Sequence, residues 1–206
     1  MKKTFRDRGS GFVVMRVLII FLVLVFSLQS WTKADDIKDF EIEGMSIGDS
    51  LLNLVNKSDI KKNKDFTHIS KKYFQYVYLD KKDSMYDYFQ FAIKDGDKNY
   101  KIAGVAAGIY FKNNIKGCLE KMNEVITDVS NSFPNLDKAK KRERKHRGDP
   151  SGKTMITEVY FNFKAGDVIA IQCTDYSKEL NYIDQLSLEI ANAKYYDWLT
   201  DEAFKK

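Results

Sequence analysis

Three side chains in the second half of the chain have the types that nucleophilic catalysis needs: Ser151 as attacking hydroxyl, His146 as base and Asp149 to orient the base. They fall on a polar stretch with no periodic scaffold, so a hydrolase built on the 146–153 loop is the alternative reading of function, not the leading one. SGKT at 151–154 also invites a phosphate loop. That motif requires a glycine five positions before Gly152, where Arg147 stands, and a helix after it, where the pattern is strand-like. Asp95, Asp97 and Asn99 open like a calcium loop, yet Tyr100 and Ala106 occupy the places of its turn glycine and closing carboxylate. His68 and His146 are the only histidines, and neither stands at metal-ligand spacing from the other or from a cysteine. No catalytic residue, metal site or cofactor is therefore assigned, and the chain reads as a binding module more than as an enzyme.

The two cysteines, Cys118 and Cys173, both sit at core-facing positions. Cys118 shares a helical face with Ile115, Leu119, Met122, Val125, Ile126, Val129 and Phe133, while Cys173 follows Ile169 and Ile171 at strand spacing. In an oxidising compartment they form a helix-to-sheet disulfide; in a reducing one they are small core hydrophobes. The sharpest charge feature is Lys138, Lys140, Lys141, Arg142, Arg144, Lys145 and Arg147, within ten residues. Such a run suits an anionic surface or an acidic partner, or is simply a solvated connection. No aromatic interleaves it, which argues against nucleic acid. Tyr86 and Tyr88 oppose Phe89, Phe91 and Ile93 on an alternating strand, so they form either an outward protein-binding face or, under a covering helix, more core.

The elements that must position these groups are legible from periodicity. A helix over 113–133, with an asparagine at its start and Pro134 after it, is the centre of the chain. Before it come a helix start at Ser46, a short helix near 58–60, and strands over 72–79, 86–94 and 100–111, the last two joined by the turn DGDKN. The third strand contains AGVAAG, a place where the central helix can approach closely. After it come strands over 154–163, 168–176 and 183–192, the last with Leu186, Leu188 and Ile190 inward and Gln185, Ser187 and Glu189 outward. Tyr195, Trp198 and Leu199 fit a final short helix. The expected class is α+β: a mainly antiparallel sheet with the long central helix and shorter terminal helices packed on one side.

Basic residues before an apolar run at 17–28, and a small residue at Ala34, read as a leader over 1–34, started from Met1 or Met15. An uncleaved anchor is the other reading. The rest, 35–206, is one domain with a basic flexible connection at about 134–153. Of the 34 basic and 29 acidic side chains, six and one lie before residue 35, so the domain itself is balanced in formal charge. The expected location is exported, periplasmic, with no stable membrane span after cleavage, and the expected partner is an envelope protein or an anionic surface.

IEGMSIGDSLL, KNNIKGC, DPSGKT and GDVIAIQC together resemble a group of short exported proteins of unknown function from marine alphaproteobacteria. The likeness covers the domain, implies export and carries over no functional residue. GMSIGDSLL also loosely resembles the opening of small periplasmic domains of the outer-membrane assembly lipoprotein and β-lactamase-inhibitor type, which implies a fold analogy only.

Overall fold

The computed structural model describes residues 36–78 and 83–205. The leader expected over 1–34, and Leu79 at the end of the first expected strand, lie outside the described residues. Eight strands among them form one antiparallel sheet. These are β1 (Tyr73–Tyr78), β2 (Tyr88–Lys94), β3 (Ile102–Tyr110), β4 (Asp137–Lys138), β5 (Arg142–Lys145), β6 (Met155–Asn162), β7 (Val168–Asp175) and β8 (Gln185–Ala191). Their order is β1-β2-β3-β8-β7-β6, with β4 and β5 both on the outer edge of β6. Three α-helices accompany them: α1 (Lys57–Lys62), α2 (Ile115–Ser132) and α3 (Ala193–Asp201).

The chain is α+β, and the central helix is where its spacing puts it. The Asn114 side chain accepts from the Gly117 amide at 3.0 Å and starts α2. Cys118, Met122, Ile126 and Val129 are buried along one face, over β7 and β8. Phe89, Phe91, Val105, Ile171, Leu186 and Leu188 rise from alternate positions of the strands to meet them. Burying each of the larger ones contributes about 1.5–3 kcal/mol. Cys118 and Cys173 are joined by a disulfide (S–S 2.05 Å) that pins α2 to β7 inside this layer.

Three expectations change. The 134–153 stretch, read as an unstructured connection, carries β4 and β5: Arg142 to Lys145 pair with Met155 to Glu158, where the outer edge of β6 offers unpaired amides and carbonyls. The helix start at Ser46 becomes a turn and one 3-10 turn, Leu51–Asn53. There the Gly48 and Leu51 amides donate to Ile102 and Tyr100 carbonyls at 2.9 and 3.0 Å, so strand contacts take the bonds a helix would use. Finally, α3 packs on the face of the sheet opposite α2. Its Tyr195 and Trp198 bury against the Tyr73 ring and against Ala92, Ala103 and Ala191, whose small side chains leave room there. His68 lies against this second layer, its ring 5.1 Å from both Trp198 and Phe204.

The disulfide joins positions 55 residues apart. Replacing both cysteines by alanine is expected to lower the free energy of unfolding by about 4 kcal/mol. Denaturant titration reads this directly, and an unchanged midpoint would show that the cross-link contributes nothing.

Candidate functional site

Strand alternation sends every second residue to the face away from α2, and on that face the chemistry is polar. In β3, Val105 and Ala107 point to the core, whereas Gly104, Ala106 and Gly108 point the other way. The AGVAAG stretch therefore does not serve the central helix. It serves two tyrosines. A Cβ on Gly104 would lie 2.6 Å from the Tyr195 ring, and one on Gly108 would lie 2.0 Å from the Tyr88 ring. Each ring rests directly on glycine backbone, which only a missing Cβ allows. Ala106 between them is partly exposed.

A slot results. Its floor is Ala106, flanked across the strands by Gln90 on β2 and Glu189 on β8. Its ends are the rings of Tyr88 and Tyr195, seated on positions about 13 Å apart along β3. Tyr195 is pinned, its Oη accepting from Gln75 Nε2 at 2.9 Å, and Ser187 is the β8 partner of Gly108, on which the Tyr88 ring sits. Ser187 Oγ in turn donates to Glu189 Oε1 at 2.9 Å. The half-buried Gln90 carboxamide has no hydrogen bond to any other described residue.

Glu189 is the electrostatic centre of this face. Burial raises its carboxyl above the usual carboxylate range, and the Ser187 hydroxyl only partly offsets this. The negative charge of Glu158 raises it further, against Arg144. Its own charge reaches the surrounding tyrosines. Tyr160 and Tyr195 are pushed up to about 12, first by burial and further by neighbouring charge that includes Glu189. Tyr88 and Tyr176 are raised too, again by burial and then by charge that includes Glu189. The slot runs toward a shallow depression of ≈ 360 Å³ lined by Tyr110, Tyr176, Asn181, Tyr182, Ile183 and Gln185. The Tyr88 and Tyr110 rings, 5.6 Å apart, join the two.

The basic run reaches the same face through two of its members. Glu158 is fully buried, and its carboxylate takes Arg142 Nε at 2.6 Å, Arg144 Nε at 3.0 Å and the Tyr160 hydroxyl at 3.1 Å. These bonds offset the cost of removing the charge from water. The Arg142 guanidinium also stacks 5.3 Å from the Tyr160 ring centre. Lys141 is spent on Asn123 at 2.8 Å, and Lys138 lies over Phe161. Lys140, Lys145 and Arg147 are exposed. The seven charges are thus dispersed over an edge rather than gathered on one surface.

In the 146–153 loop, Ser151 Oγ donates to Asp149 Oδ2 at 2.9 Å, and the same oxygen accepts from the Thr154 amide and hydroxyl at 2.8 and 2.7 Å. His146 Nδ1 accepts the Gly148 amide at 3.1 Å. The proton of Ser151 goes to the carboxylate, and no hydrogen bond links the imidazole to it among the described residues. Burial works to raise the Asp149 carboxyl, but the hydrogen bonds from Thr154 and Ser151 outweigh it and hold the group far below the usual range. This network closes a loop. Among the described residues no three His, Cys, Asp or Glu side chains gather as a metal site would require.

Of the two tyrosines expected on the outward face, Tyr88 is there. Tyr86 lies before β2, turns to the other side and packs its ring 5.6 Å from Phe89 in the main core. Gln90, Ala106, Glu189 and Tyr195 had no motif to mark them; the available signal was the outward position of Glu189 together with the two glycines of AGVAAG. No protein-family model matches the chain, nor does any curated protein or solved structure.

Two titrations test these assignments. The Asp149 carboxyl is lower folded than unfolded, so its stabilisation is present above about pH 4 and is lost as pH falls through the folded value. Asp149→Asn should therefore lower the melting temperature at neutral pH, with a gap to wild type that closes in acid; a constant gap would mean the charge does not hold the loop. Glu189 is raised instead, so its contribution is full below about pH 4 and lost as pH rises through the folded value. Glu189→Gln should raise the neutral-pH melting temperature without gain in acid. It should also let Tyr88, Tyr160 and Tyr195 ionise at lower pH, as read by ultraviolet difference spectra.

Proposed function

We propose that this chain is an exported binding module that holds a small ligand in the slot on the polar face of its sheet. The observation that carries the reading is the partly exposed Ala106 floor between two tyrosine rings seated on glycine backbone, with Gln90 and Glu189 presenting polar groups on either side. Walls fixed in advance reduce the ordering cost of binding. A carboxyl retained in a partly buried, unfavourable setting fits a site better than a scaffold. The binding reading is also favoured over a hydrolase by Ser151, whose hydroxyl is committed to Asp149 rather than to a base.

Export is part of the same proposal. The disulfide suits an oxidising compartment, and the residues before 35 have the pattern of a leader. Among the described residues no helix is long and apolar enough to cross a membrane.

A fragment screen read by nuclear magnetic resonance tests the site. Ligands are expected to shift the Gln90 side-chain amide and the backbone amides around Ala106 and Glu189. Fragments that collect on the β5 edge or the 146–153 loop, leaving those signals still, would overturn the assignment.

A further inference from the structure

We propose, resting on the slot as the binding site, that its ligand is an uncharged saccharide of two or more rings, running from Ala106 across the Tyr88 ring toward the depression beside Tyr110. Three features of the surface select this chemistry. The first is charge. Glu158 is matched by Arg142 and Arg144, and the Glu189 carboxyl, which accepts from Ser187 Oγ, is shifted by burial toward its uncharged form, so the face offers little field to select an ion of either sign.

The second feature is the donor and acceptor set. Gln90, Gln172 and Gln185 stand on three different strands of this face, β2, β7 and β8. A carboxamide presents donors and an acceptor side by side, which is the complement of neighbouring hydroxyls that each donate and accept. Gln90 and Gln172 spend none of this capacity on other described residues, while Gln185 Nε2 donates to Tyr176 Oη at 3.3 Å. A ligand of quaternary ammonium type would use the rings and Glu189 and leave these amides unpaired. An apolar ligand would bury them without partners, at a cost.

The third feature is shape. The rings of Tyr88 and Tyr195 stand on either side of Ala106, and sugar rings carry C–H faces that pack on aromatic surface. The depression supplies a second such surface. Tyr110 and Tyr182 there are 44% and 66% exposed, unlike the tyrosines that fill the layer under α3. Glu189 can act as acceptor when ionised and as donor when protonated, so it serves a hydroxyl in either state.

The test uses the full domain with cellobiose, maltose and N,N′-diacetylchitobiose as probes, and tetramethylammonium and inorganic phosphate as charged comparators. At least one disaccharide is expected to bind saturably, shifting the Gln90 and Gln172 side-chain amides, and to bind about tenfold more tightly than its monosaccharide. Tyr110→Ala should remove that gain, and Ala106→Leu, which fills the slot from a partly exposed position, should abolish binding. Binding of tetramethylammonium with all three disaccharides silent overturns the saccharide assignment and leaves the slot as a site. Saccharide binding that survives Ala106→Leu, in a variant with the wild-type circular dichroism spectrum, overturns the placement. Silence of every probe at tens of millimolar overturns the saccharide assignment, and silence of the fragment screen as well overturns the slot.

Discussion

A strand has two faces and a fixed period of two, so each residue it contributes to one layer is matched by a neighbour committed to the other. In this sheet that constraint meets its hardest case at β3. Val105 and Ala107 must pack under α2, while Gly104, Ala106 and Gly108 must stay small for the rings on the far side. Small residues in a central strand give up packing and chain stability. The loss is borne where Tyr88 and Tyr195 cover the glycines, and Ala106 remains as the accessible interval between them. The polar slot is in this sense a by-product of how two tyrosines are seated.

The remainder of the fold holds that strand still. On one side, α2 is clamped to β7 by the Cys118–Cys173 bond and by a continuous apolar layer. On the other, α3 brings Tyr195 down onto Gly104 and, through Trp198, closes the second layer. At the outer edge, Glu158 draws Arg142 and Arg144 inward and so fastens β5 to β6 with charge as well as with backbone pairing. A basic run that would be a solvated strap in isolation becomes an edge strand because a buried carboxylate needs its guanidinium groups.

Much of this was legible in the residues. The three-four spacing around Met122 and Ile126 names a helix and its buried side, since that period fits no other regular structure. Phe89, Phe91 and Ile93 place β2 and its face for the same kind of reason, and the paired inward positions of Cys118 and Cys173 make their bond a natural expectation. The errors are equally physical. Tyr86 was assigned by extending alternation past the point where the strand begins. Ser46 has a good cap, but β3 captures the amides that a helix would have used. In β5 the charges hide a strand, because propensity carries little weight against a long-range ion pair.

By itself the sequence determined the periods: which segments coil or extend, which faces are apolar, and that the domain is balanced in charge once its first residues are set aside. Local spacing encodes these because they depend on neighbours a few residues apart. Only the tertiary structure decided which distant side chains share the polar face. Gln90, Ala106 and Glu189 become neighbours through pairings between β2, β3 and β8, and Tyr195 joins them because α3 returns over the sheet. Register across strands far apart in the chain sets those contacts, and no local pattern carries that information.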